Sequence, residues 1–202
     1  MPSVTFPAYH IGEVASEGFA ASRVGCRTTS PALKEVPLLQ VDVEGAVRTA
    51  RLAAQFDWTW YLDKDLSAFC DAAGWSLGES SDRRTDIRTD LRVRPPRASV
   101  ARRRRMFDEM SVHVSDEIDR SIPWAQRRRS LVDAFAALGE GLTLALDNPT
   151  RVTPGESAMM SWECPRVWIK LQIVYDTVYL YLISQESQAT ADAAARYDAG
   201  YW

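Results

Sequence analysis

The sequence predicts an α+β domain of two layers, with an antiparallel sheet of about five to seven strands and two N-terminal helices plus one long central helix packed on one side. Three observations predict it. Apolar residues recur at helical spacing in two segments before residue 75 and in a long third segment around Leu138. They alternate at period two over residues 87–93, and again in three successive runs over residues 158–183. No strand is followed by the helix-and-strand return that a parallel sheet needs, so neighbouring strands pair locally and antiparallel.

Residues 1–41 carry Pro2, Pro7, Pro31 and Pro37 and no sustained period, which reads as an irregular arm with one short strand. Asp42 caps a helix whose Val43, Ala46, Val47, Ala50, Ala53 and Ala54 form one stripe, with Arg48, Arg51 and Gln55 off it. Asp57-Trp58-Thr59-Trp60 interrupts the period, Asp63 offers a second N-cap ahead of Leu66, Phe69, Cys70 and Ala73, and Gly74 supplies a left-handed stop. Ile87, Thr89, Leu91 and Val93 then alternate with Arg88, Asp90, Arg92 and Arg94, the pattern of a half-buried strand that ends at Pro95-Pro96. Residues 100–114 hold one or two further strands, with Met110, Val112 and Val114 on one side and Ser111, His113 and Ser115 on the other, polar side, where His113 either faces solvent or is hydrogen-bonded.

The long helix starts at Pro123 or at Ser130, where Asp133 completes a capping box; Leu131, Phe135, Leu138, Leu142, Ala145 and Leu146 form its stripe, and Asn148-Pro149 stops it. A strand meander follows: Ala158, Met160 and Trp162; then Val167, Ile169, Leu171 and Ile173; then Val178, Leu180 and Leu182. The alanines of residues 187–197 suit a last helix that needs docking to be stable. The expected organisation is an arm at 1–41, one α+β domain at 42–186 and a helical tail at 187–202.

At 202 residues with 46% apolar and 25% charged side chains, the chain has the balance of one folded domain. No apolar run approaches the roughly 20 residues that span a bilayer, and the first residues lack a basic start and an apolar stretch, so the expected address is the cytoplasm. Cys26, Cys70 and Cys164 are scattered and odd in number, which fits neither a disulfide framework nor a Cys-x-x-Cys motif. His10 and His113 lie in no motif that sets a nucleophile beside them. The acid pairs Asp63/Asp65 and Asp108/Glu109 and the group Asp116/Glu117/Asp119 read as helix-start and surface residues. Gly139-Glu140-Gly141 falls inside the helical stripe, so it is no phosphate loop, and metal-ligand spacing is absent. The expectation is a protein without catalytic residues, cofactor or metal.

Charge is the informative feature. Between Arg83 and Arg105 ten arginines face Asp86 and Asp90, so the stretch carries 10 − 2 = +8 while the whole chain is −3. Such a dipole steers association with a partner of complementary charge. Arg88, Arg92, Arg94, Arg102 and Arg103 are therefore candidate partner-binding residues, unless they pair with Asp116, Glu117 and Asp119. Trp168, Tyr179 and Tyr181, interleaved with Lys170 and Gln172, share the parity opposite to the core set and form a second candidate surface, unless helices or the arm cover it. Nucleic acid is disfavoured by a pI of about 5.5 and by the lack of interleaved aromatics in the basic run.

Asp57-Trp58-Thr59-Trp60, Gly74-Trp75, the Asp133-Ala134-Phe135-Ala136-Ala137-Leu138 helix ending at Asn148-Pro149, and Pro154-Gly155-Glu156 before Trp162 together resemble an uncharacterised family of small actinobacterial proteins. The likeness spans about residues 43 to 183 and takes in the final strand pair. Some members sit at polymorphic-toxin loci, where they are taken to be immunity proteins. The resemblance implies an antitoxin that binds a co-produced toxin and blocks its active site, and it carries over no catalytic residue. The alternatives are a cytoplasmic chaperone or adaptor for a secreted protein and, behind it, a nucleic-acid-binding protein or an enzyme.

Overall fold

The computed structural model describes residues 39–199, and the expectations for the N-terminal arm before residue 39, for His10 and Cys26, and for residues 200–202 lie outside the described residues. Within them the chain is α+β, with one antiparallel sheet of eight strands, one more than the upper end of the expected range. The strands are β1 Ser76–Ser80, β2 Arg84–Arg88, β3 Arg97–Arg103, β4 Met106–His113, β5 Arg151–Thr153, β6 Met159–Glu163, β7 Trp168–Val174 and β8 Thr177–Ile183. Their order, β1-β2-β3-β4-β8-β7-β6-β5, makes two four-stranded meanders joined where β4 pairs with β8, in register at Met110 opposite Leu182 and Val112 opposite Leu180. β1 and β5 escape the sequence pattern because every residue of both is exposed, which leaves no alternation to detect.

The four helices are α1 Val43–Gln55, α2 Ser67–Ala73, α3 Trp124–Leu146 and α4 Gln185–Ala199. Asp42 caps α1 by accepting from the Gly45 amide at 2.9 Å, and its second oxygen accepts from the Arg92 amide at 2.8 Å. That second bond corrects the strand expected over 87–93. β2 ends at Arg88, because the Arg92 and Arg94 amides are taken by the carboxylates of Asp42 and Asp116 rather than by a ladder. Leu91 and Val93 are buried all the same.

The winding before α2 begins as a π-helical turn, Leu62–Leu66, with Tyr61 ahead of it, so Asp63 lies inside the first turn rather than at the N-cap. The buried Asp65 reaches back instead, accepting from the Thr59 and Trp60 amides at 2.5 Å each and from the Thr59 hydroxyl at 2.7 Å. It holds Trp60 in the left-handed region, at a φ of 62°. Gly74, at a φ of 73°, ends α2 as expected.

α3 starts at Trp124 behind Pro123, so Ser130 and Asp133 fall within the helix and form no capping box. A Cβ on Gly139 would stand 2.8 Å from the Met160 sulfur and one on Gly141 2.5 Å from Val43 Cγ1, so both glycines allow α3 to close on β6 and α1. α1, α2 and α3 share the face that carries Ile87, Phe107, Val112, Leu171 and Leu180. α4 docks on the opposite face, through a Trp168 indole N–H donated to the Gln185 side chain at 2.8 Å and a two-pronged Arg151–Asp192 ion pair at 2.6 Å.

Of the two alternatives for His113 the hydrogen-bonded one holds, and both His113 and Ser115 are buried, at 4% and 0% exposure. The Tyr179 ring packs on the His113 ring at 4.5 Å, and Ser115 accepts from the Val178 amide at 2.9 Å. No helix among the described residues is long and apolar enough to cross a membrane.

Candidate functional site

The fold distributes the arginines of residues 83–105 over three places. Arg92 donates to Asp42 at 3.1 Å and to Glu44 at 2.9 Å, which ties it to the first turn of α1. Arg94, in the same crossing loop, gives its amide to Asp116 at 2.7 Å while its exposed guanidinium has no partner among the described residues. Arg88 sits on the face opposite the three helices, directly across from Arg97 in the β2–β3 pair. Arg102 and Arg103 reach the far end of the sheet, at the β3–β4 hairpin. Among the described residues these arginines do not pair with Glu117 or Asp119: Asp119 is used by Ser121, and the acids that do pair with them are Asp42, Glu44, Asp86 and, at 3.9 Å, Asp108, while Asp90 pairs with Arg48.

The aromatic candidates part company as well. Trp168 is buried beneath α4, with the Arg151 guanidinium over its ring at 4.6 Å, so it offers no exposed contact. Tyr179 and Tyr181 are half-buried neighbours, 5.6 Å between ring centres, with the Lys170 ammonium over Tyr181 at 4.6 Å. Burial holds the Lys170 ammonium below and the Tyr181 phenol above their ordinary pKa values. His113 is driven down to about 4 by burial and by Arg97 and Arg84, so it is neutral near pH 7, and its Nε2 accepts from Arg97 at 3.0 Å.

The end of the sheet at the β1–β2 turn and the β3–β4 hairpin gathers the unpaired charge. Arg102 donates its amide to the Arg83 carbonyl at 2.8 Å, and Leu62 donates its own to the Arg105 carbonyl at 2.9 Å, so these backbones lie side by side. Arg104 forms the hairpin tip at a φ of 59°. Arg83, Arg104 and Arg105 are exposed, and their guanidinium groups have neither hydrogen bond nor ion pair among the described residues. The acids at this end are Glu79, Asp82 and Asp108.

A groove of about 410 Å³ opens beside them, lined by Leu62, Leu66, Leu77, Ser80, Thr85 and Arg102 among others. Leu77 stands opposite Ile87, on the side that bears the core, yet it is 49% exposed where Ile87 is 1% exposed. Arg102 spends Nη1 on the Ser80 hydroxyl at 2.9 Å and the Ser81 carbonyl at 3.1 Å, while its Nε is buried without an acceptor. Leu62 and Leu77 did not stand out in the sequence, whereas Arg83 and Arg105 belong to its basic run. An isolated leucine between Ser76 and Gly78 carries no periodic signal, and only the pairing with Ile87 reveals its parity.

A second cleft, about 350 Å³, lies between the Trp58-Thr59-Trp60 segment, Asp108, Arg166 and Gln185. An Asp57–Arg166 ion pair ties its two sides. Among the described residues no group of three His, Cys, Asp or Glu side chains is placed to hold a metal ion. Cys70 is buried, and burial pushes its thiol up to about 11.

The family of unknown function DUF6301 matches the chain over residues 44–184. No curated protein matches it. Among solved structures the chain is similar to a DUF4309 family protein, YjgB, from Bacillus subtilis, at 13% identity and a TM-score of 0.37, covering 71% of this chain and 96% of that one.

Proposed function

The chain belongs to the DUF6301 family, and from that premise we propose that it is a non-enzymatic protein-binding domain, an immunity protein that occupies and blocks a toxin. One observation carries the reading. The guanidinium groups of Arg83, Arg104 and Arg105 lie at one end of the sheet with no ion pair among the described residues, so their field is directed outward. Like charges gathered this way repel one another, and a protein keeps such an arrangement where a partner of opposite sign relieves it. The immunity assignment draws its support from the likeness to proteins at polymorphic-toxin loci.

The test uses the full chain to retain its partner from the native host, with identification by mass spectrometry and measurement of association by surface plasmon resonance. Changing Arg83, Arg104 and Arg105 to Glu should slow association about tenfold or more at low salt and alter dissociation little. An unchanged association rate removes the arginine-rich end from the interface. The immunity reading further requires that the retained protein is toxic when expressed alone and harmless when this chain is co-expressed.

A further inference from the structure

We infer that the groove beside Leu77 seats a short acidic segment of the partner protein, one aliphatic side chain on the leucines and one carboxylate on Arg102; this rests on the protein-binding reading above. The apolar half of the argument is Leu77 itself. It has the parity of the core and faces the buried Ile87, yet the helical layer stops at Leu62 and Leu66 and leaves it half uncovered. The polar groups of the floor are already occupied with each other, since the Ser80 and Thr85 hydroxyls share a hydrogen bond of 2.9 Å. What is left open is an aliphatic seat, which gains by being covered.

The charged half is Arg102. A guanidinium donates charge-assisted hydrogen bonds to a carboxylate, and Ser80 and Ser81 use only Nη1 and hold the group in place. Nη2 has no partner among the described residues and is left for a carboxylate, whereas Nε is buried out of a partner's reach. Arg83, Arg104 and Arg105 around it raise the local concentration of acidic segments. A nucleic acid would meet the charge and miss the seat. The groove is lined by three leucines and no ring on which a base could stack.

Fluorescence anisotropy on the full chain tests this with three probes: a short peptide alternating Leu with Glu, the same peptide with Ser for Leu, and a single-stranded oligonucleotide of equal charge. The Leu peptide should bind about tenfold tighter than the Ser peptide. Leu77→Asp should weaken it about tenfold, and Arg102→Lys, which keeps the charge and loses the planar group held by Ser80 and Ser81, about fivefold. Unchanged circular dichroism and melting temperature would show that both variants remain folded. Equal binding of the two peptides, tighter binding of the oligonucleotide, or indifference to Leu77→Asp overturns the inference. A native partner held equally by both variants but lost on reversal of Arg83, Arg104 and Arg105 overturns the groove and leaves the protein-binding reading standing. Leu-peptide binding that Leu77→Asp and Arg102→Lys both weaken, by a chain that retains no partner and confers no protection, upholds the groove and overturns that reading.

Discussion

The two meanders of the sheet handle charge in opposite ways. In the C-terminal one, cations have acids on their own chain: Arg151 with Asp192, Arg120 and Arg127 with the buried Asp176, and Arg166 with Asp57. Its aromatic face is closed by α4 at Trp168, while Tyr179 and Tyr181 stay half-buried. The N-terminal meander holds the dense arginine run, leaves the guanidinium groups of Arg83, Arg104 and Arg105 without partners among the described residues, and ends in a groove where a core-parity leucine faces solvent. A charge satisfied within the chain serves the fold, and removing its partner should cost stability. One left unsatisfied serves what lies outside, and its loss should cost binding.

Four experiments can break or sharpen that contrast. Asp176→Ala strands Arg127, only 16% exposed at its side chain, and should cost about 3–5 kcal/mol in urea unfolding; a loss below about 1 kcal/mol would mean that the pair is no anchor. Trp168→Ala removes a buried indole and its bond to Gln185 and should cost about 3–4 kcal/mol, whereas Leu77→Ala should cost under about 1 kcal/mol. Comparable losses for the two would erase the difference between sealed and open faces.

His113 supplies the third. Its folded pKa lies near 4 against an ordinary 6.5, so the unfolded chain binds a proton in that window and the folded one does not. Stability should be fully present above about pH 6.5 and fall by about 2 kcal/mol as the pH drops toward 4. The slope between pH 4 and 6.5 should flatten in His113→Gln, as read from urea unfolding at several pH values; a variant with the wild-type slope would assign the dependence elsewhere. The smallest expected change is in the stability of the Arg83, Arg104 and Arg105 triple reversal, within about 0.5 kcal/mol of the parent by thermal melting, against the large effect on association.

Much of the architecture is legible without coordinates. The α1 stripe, the Gly74 stop, the long central helix and the period-two runs of β6 to β8 each follow from local spacing, and each stands within a few residues of its expected place. β2 is displaced because the alternation of Ile87, Thr89, Leu91 and Val93 reports burial, and burial is shared by strands and by a loop pinned through Asp42 and Asp116. Alternation sets His113 on the polar face of its strand with Ser111 and Ser115; its burial comes from Tyr179 on β8 and Arg97 on β3, neither adjacent in the chain.

The candidate surface divides along the same line. Composition alone makes residues 83–105 a cationic stretch, because charge is counted residue by residue and needs no geometry. Which arginines stay free was settled by packing: Asp42 and Glu44 reach Arg92 from the first turn of α1, while no acid among the described residues reaches Arg104. The groove, too, exists only once β1 pairs with β2 and the helical layer stops short of Leu77. Local period and net charge are properties of neighbours along the chain, whereas the pairing or exposure of a side chain depends on residues brought to it from far away.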